Sequence, residues 1–297
     1  MNRLLTEVSF AASIRRIGKR VLGNRARILR AYWRKPVPDL EAYTARLAGR
    51  KAFEIGGPSE IFSDHGVIPV YSVLASVDNC LFSAQTIWTG TVQGGSFQYH
   101  PKKSPGAQLF CEATDLHQVA DSSYEALLAS HCLEHVANPL RALEEWKRVL
   151  VEDGILLLIL PHKDGTFDWH RPVTSLNHMI QDYENNVGES DLTHLPEILA
   201  LHDLEKDAAA GSAEQFKKRC LANASTRAMH HHVFDTHTAA TLLDHAGFQL
   251  VRVVALRPFH IIMLAAKCGY QTENSLFLRS DSEFLTSSPF PSDWRVR

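Results

Sequence analysis

Hydrophobic positions along this chain recur with two different periods, and each change of period marks an element. Ala52-Phe53-Glu54-Ile55 reads as a short buried strand running into the turn Gly56-Gly57-Pro58-Ser59. Further strands are predicted at Val67–Tyr71, Gln108–Cys111, Ala126–Ala129 and Ile155–Leu160. Ahead of the last of these the spacing is helical, with Asn138 as N-cap, Pro139 at the first helical position, and Leu140, Leu143, Trp146, Val149 and Leu150 on one face. Asp153-Gly154 then turns the chain into the strand. A short helix over Leu40–Ala48, capped by Asp39 and ended by Gly49, is predicted before the first strand. Near the other end a helix begins at Thr236 and stops at Gly247, followed by strands at Gln249–Leu256 and His260–Ala266. Their short Arg257-Pro258-Phe259 connection suggests an antiparallel hairpin. Strand and helix alternate, which is the pattern of an α/β fold on a parallel sheet.

Three stretches fall outside that alternation. Residues 163–232 have helical spacing at 174–185, 192–204 and 213–224 but little strand character, so they read as a helical cap inserted between a first core part, 37–162, and a second, 233–270. Residues 271–297 have sparse apolar periodicity and are expected to be an extended tail or one that packs only in patches. In residues 1–36, Phe10, Ile14, Ile17, Val21, Ile28 and Tyr32 recur among arginines and lysines, as in a basic amphipathic helix.

Charge sharpens the last point. The net charge is −2, yet residues 1–36 carry +9 and the remainder −11. Contact with an anionic membrane surface or polyanion, an organellar transit peptide, and docking on the chain's own acidic domain all fit such a segment, and the complementary charge favours docking. No apolar run approaches the roughly 20 residues of a membrane-spanning helix, and no secretory signal is visible. The 5 cysteines lack a C-x-x-C pair, which argues against a disulfide scaffold or a cysteine zinc site and makes a reducing cytoplasm the expected location. Of the 16 histidines, 11 cluster after residue 160.

A nucleotide-type ligand needs close backbone approach after the first strand, a carboxylate after the second for its ribose, and a discriminating group near its base. Glu54, Gly56 and Gly57 supply the first, Asp78 is the candidate for the second, and Glu112 follows a predicted strand where an adenine amino group would lie. Neither G-x-G-x-x-G nor G-x-x-x-x-G-K-[ST] occurs. Pro58 lacks an N–H, so the turn is a poor cradle for a pyrophosphate and a better one for a ligand without phosphates.

With Glu112-Ala113-Thr114-Asp115-Leu116, Ser130-His131-Cys132-Leu133-Glu134-His135 and Val151-Glu152-Asp153-Gly154 in this order and spacing, the chain resembles the class I S-adenosylmethionine-dependent methyltransferases. The Glu-Ile-Gly-Gly-Pro-Ser start and the Leu-Pro-His-Lys end of the central strand are similar to a bacterial methyltransferase-11-like subgroup often associated with surface-polysaccharide gene clusters. The resemblance covers roughly residues 50–165 and 233–268 and implies a Rossmann-like, mostly parallel sheet of seven strands, the last antiparallel, with S-adenosylmethionine as cofactor. It implies that Glu54, Gly56 and Gly57 line the methionine part, Asp78 the ribose, and Glu112 with the Ala113 backbone the adenine. Ser130 and His131 would face the reacting sulfur. Pro58 stands where the family commonly has a second glycine, and Asp78 has an unusual Val-Asp-Asn-Cys context.

Methyl transfer to a hydroxyl also needs a base, for which histidine is suited near neutral pH. His162, His170, His194 and His231 are the candidates, with Asp168 and the neighbouring His230 and His232 also within the cap sequence. The expected acceptor is a saccharide or other small hydroxylated molecule rather than nucleic acid. Glu134 and His135 read as capping and orienting residues. No metal is expected, although His230 and His232 with Asp235 or His194 would permit a metal hydrolase, and a membrane- or polyanion-binding scaffold is the other alternative.

Overall fold

The computed structural model describes residues 36–87 and 89–295. The predicted basic amphipathic segment therefore lies, all but Pro36, outside the described residues. Seven strands form one sheet: β1 (Lys51–Ile55), β2 (Ser76–Leu81), β3 (Gln108–Phe110), β4 (Tyr124–Ser130), β5 (Leu150–Pro161), β6 (Phe248–Leu256) and β7 (His260–Lys267). Their order across the sheet is β3-β2-β1-β4-β5-β7-β6. Only β7 runs against its neighbours, pairing antiparallel with both β5 and β6. This is the Rossmann-like arrangement the motifs imply, and the order reverses at β1/β4, the switch point where open α/β sheets bind ligands.

Alternation along the strands separates two cores. Phe53, Ile55, Leu127, Ala129, Leu156 and Leu158 pack on one face with helix α2 (Pro139–Val149), whereas Ala52, Ala126, Leu128, Ile155 and Leu157 pack on the other with α1 (Leu40–Leu47). α2 forms as its sequence dictates: the Asn138 side chain accepts from the Arg141 N–H at 3.0 Å, and Leu140, Leu143, Trp146 and Val149 are buried.

The second strand differs from the sequence reading. Val67–Tyr71 is a buried turn-rich segment packed over the second core, and the strand is Ser76–Leu81. Pro69 removes a ladder donor from the more apolar stretch, while β2 carries Asp78 and Asn79, whose polar groups are satisfied within the fold. Between β1 and β2 the described residues hold one short 3-10 turn, Glu60–Phe62, in place of a helix. Between β2 and β3 lies a small ribbon pairing Gln85–Thr86 with Gly90–Thr91.

Between β5 and the last long helix come α3 (Leu176–Glu184), α4 (Leu195–Leu201) and α5 (Ala213–Leu221), with a small core of Ile198, Ala210, Phe216, Cys220 and Met229. α6 (Thr236–His245), capped by Asp235, then leads into β6. The C-terminal segment is not extended: Phe284 and Leu285 join the first core, and Phe290 and Asp293 are buried. Among the described residues no helix is long and apolar enough to cross a membrane.

Candidate active site

The site is built on the carboxyl ends of β1, β3 and β4 and the start of β7. Gly56 leaves β1 at φ 82°, a conformation that favours glycine, and a side chain built there would meet only Cys132, at 3.6 Å. A Cβ on Gly57 would fall 2.3 Å from the Glu54 carboxyl carbon. The turn thus presents bare backbone. Its N–H groups are already committed: Gly56 donates to Cys80 O at 2.9 Å, Gly57 to Asn79 Oδ1 at 2.9 Å, and Ser59 to Tyr71 Oη at 2.8 Å and Glu54 Oε1 at 3.1 Å. A turn without spare donors does not suit a pyrophosphate, and it does suit a ligand without phosphates, such as an S-adenosyl sulfonium.

Glu54 is fully buried beneath this turn, with the Tyr71 hydroxyl donating to Oε2 at 2.7 Å. Burial pushes its carboxyl up to about 7 against the hydrogen bonds from Ser59 and Tyr71. It therefore supports the turn from below. Asn79 does the same from β2, accepting from Gly57 N and donating to Gly57 O at 3.1 Å and to Gln108 Oε1 at 2.9 Å.

Asp78 points the other way. It pairs across from Phe53, and its carboxylate accepts from Ala107 N at 2.7 Å and Tyr124 Oη at 2.8 Å, toward the end where β4 begins. The ribose role is withdrawn from Asp78, because successive strand residues face opposite sides and its oxygens are engaged away from the rim.

Glu112 and Ala113 follow β3 at the rim, as expected. Glu112 remains 40% exposed, and its Oε1 accepts from Arg227 Nη2 at 2.5 Å. Arg227 also lies 4.9 Å over the Phe82 ring just beyond β2, so the cap closes over this part of the rim. Trp146 Nε1 donates to Ala113 O at 3.0 Å from within the core. Trp146→Phe leaves that carbonyl without its donor and is expected to cost about 1–3 kcal/mol, measured as a lowered denaturant midpoint, with weakened binding of S-adenosylhomocysteine.

Ser130 ends β4, and His131 follows at φ 51°, with its side chain 22% exposed. His131 Nε2 is 3.1 Å from His260 Nδ1, the first residue of β7, and Nδ1 is 3.8 Å from Glu134 Oε1. Burial, then the neighbouring His260, His230 and His135 rings, holds the His131 imidazole well below its usual range. Glu134 is 1% exposed, its Oε2 lacks a hydrogen-bond partner, and burial pushes it up to about 7. Behind it His135 faces His230 edge-on at 4.6 Å, and Asp168 Oδ2 meets His230 Nδ1 at 2.5 Å. Arg171 Nη1 donates to Asp168 Oδ1 at 3.0 Å. Despite burial, His230 and Arg171 hold Asp168 below the usual carboxylate range.

The four predicted bases are not gathered at this rim. His162 is completely buried, bonded to Asp293 at 3.1 Å and stacked on Phe290 at 4.0 Å, which removes it as a base. His170 is exposed, its ring 3.6 Å from that of Trp169. His231 is buried, with Nε2 2.9 Å from Asn223 Nδ2, and burial and His194 bring it down to about 4. His194 faces His178, Nε2 to Nε2, at 3.0 Å. The residues that do converge, Glu134, His135, His230 and His260, come from three places in the sequence, and only the Glu134-His135 pair was visible as a motif.

Residues 96–158 match the family described as methyltransferase domain. No curated protein matches the chain. Among solved structures it is similar to a SAM-dependent methyltransferase from Methanosarcina mazei, at 19% identity, 79% coverage of this chain and 99% of that one, and a TM-score of 0.43. It is also similar to a putative methyltransferase from Bacillus halodurans, at 12% identity, 77% and 97% coverage and a TM-score of 0.41. A third is the Burkholderia thailandensis 1,6-didemethyltoxoflavin-N1-methyltransferase with bound 1,6-didemethyltoxoflavin and S-adenosylhomocysteine, at 12% identity, 90% and 93% coverage and a TM-score of 0.41. The family match runs from β3 through most of β5, within a sheet of Rossmann-like order.

Proposed function

We propose that the chain is a class I S-adenosylmethionine-dependent methyltransferase that acts on an oxygen of a small hydroxylated acceptor, a saccharide hydroxyl by preference, with His131 as general base. Bound at the rim, S-adenosylmethionine supplies a methyl group already activated by its sulfonium. Gly56 and Gly57 would lie beneath its amino-acid part, and Glu112 with the Ala113 backbone beside its adenine.

The observation that carries this reading is the placement of His131, partly open at the end of β4 and tied at Nε2 to His260. When Nε2–H is donated to His260, Nδ1 keeps its lone pair and can take the acceptor proton. Glu134 Oε1, 3.8 Å from Nδ1, then faces the imidazolium that forms. The cap over Glu112 and the Asp168–His230 pair keeps bulk water from this end of the sheet. The saccharide preference rests on the likeness of the Glu-Ile-Gly-Gly-Pro-Ser and Leu-Pro-His-Lys segments to the polysaccharide-associated subgroup.

His131→Asn tests the base, because asparagine tolerates the left-handed backbone. Expected is a fall in kcat of about 10²-fold or more, partly rescued by added imidazole, with S-adenosylhomocysteine affinity unchanged. Undiminished turnover with hydroxylated acceptors would remove His131 from the mechanism.

A further inference from the structure

Away from the methyl-transfer rim, where the cap meets the loop after β4, His178, Asp182, His194 and His232 converge, each offering one ligand atom within 4.8 Å of the others. His178 and Asp182 lie four residues apart on one face of α3, His194 immediately precedes α4, and His232 arrives on the segment leading back to α6. His178 Nε2 is 3.0 Å from His194 Nε2 and 3.4 Å from Asp182 Oδ2, and His232 Nε2 is 3.7 Å from the same oxygen. A tetrahedron built with bonds of about 2.0–2.2 Å has edges of roughly 3.4 Å, and these three spacings bracket that length.

We propose that these three imidazoles and one carboxylate bind a divalent zinc-type cation that fastens the cap to the core. Asp182 Oδ2 is buried without a hydrogen-bond partner, and so is His232 Nδ1. A buried carboxylate oxygen whose nearest donors stand back at 3.4 and 3.7 Å without forming a hydrogen bond is under-satisfied, and a cation seated among these atoms satisfies it. Three nitrogens and one oxygen form a tetrahedral donor set for zinc, and four protein ligands leave no open position, so the ion's role is structural.

The surroundings fit a staple between cap and core. Asn138, the cap of α2, donates from Nδ2 to Asp182 O at 3.1 Å, and His232 Nε2 lies 3.2 Å from Ala137 O. Metal binding takes His232 Nε2 from that carbonyl, a small loss beside four metal–ligand bonds. His178 remains partly exposed and gives the ion a way in.

The experiment is metal analysis of the full-length protein, followed by chelation and titration with Co²⁺. Expected are about one zinc per chain and the intense visible absorption of tetrahedral cobalt, with the unfolding midpoint lowered by chelation and restored by Zn²⁺. His178→Ala/His194→Ala should lose the bound metal, whereas His230→Ala, in the separate Glu134–His135–His230 group, should keep it. Should the double variant not fold, the wild-type cobalt titration decides alone. Absence of a tetrahedral spectrum in the wild type, retention of metal by the double variant, or its loss only in His230→Ala would each overturn the proposal.

Discussion

Gly57→Ala is expected to abolish S-adenosylhomocysteine binding in a calorimetric titration while lowering stability by about 3 kcal/mol. The added methyl group would overlap the Glu54 carboxyl, 2.3 Å from its carbon and 2.4 Å from Oε2. That carboxyl has nowhere to retreat: the Tyr71 hydroxyl and the Ser59 N–H hold it, and it is sealed from solvent. The turn must then rise, and with it goes the double contact between Asn79 and the Gly57 peptide. Gly56→Ala provides the contrast, since its Cβ has room at 3.6 Å from Cys132 and only the positive φ of 82° opposes it. It should bind more weakly but measurably. Equal, undiminished binding in Gly57→Ala would show that the turn is not the cofactor's floor.

The second large effect is on stability. Asp293 accepts from His162 Nε2, from Thr236 N at 3.0 Å and Oγ1 at 2.7 Å, and from Ser288 Oγ at 2.5 Å. Asp293→Ala strands all of these donors in the interior and should cost about 3–5 kcal/mol, read as a lower midpoint in urea with an unchanged m-value. Asp293→Asn keeps one acceptor oxygen and should lose less. Burial alone would raise this carboxyl, but His162, Ser288 and Thr236 outweigh it and hold it below its ordinary 3.8. A depressed folded value means that the stabilisation is fully present above 3.8 and is lost as pH falls through the lower folded value. The gap between wild type and Asp293→Ala should accordingly be constant near neutrality and close only in acid. A gap that closed near neutrality would contradict this account.

Features that are local in sequence were legible. Gly56-Gly57 after a buried strand, Glu112-Ala113, Ser130-His131 and the capped face of α2 each depend on neighbours a few positions away, and the structure puts each at or beneath the rim. The second strand was harder to place, because Val67–Tyr71 is the more apolar stretch while β2 carries two polar residues that only the folded sheet satisfies. One position then decided the site: Asp78 has the carboxylate, but Asn79 has the face, since adjacent strand residues point to opposite sides. The histidines defeat sequence reading for a different reason. Their partners are remote, with His131 meeting His260 across 129 positions and His230 meeting Asp168 across 62. Nothing in the local pattern distinguishes His162, sealed against Phe290, from His131, open at the rim.

The remoteness of Asp293 from His162 also bears on how the molecule is made. The two are separated by 131 positions, so β5 leaves the ribosome well before the acid that closes over its end. At about 5–20 residues per second, that interval is roughly 7–26 s. During it the nascent chain must hold a polar ring without its partner beside a greasy half-built interior, which makes this stretch of synthesis the natural moment for a chaperone to engage and ties final closure to the arrival of Asp293.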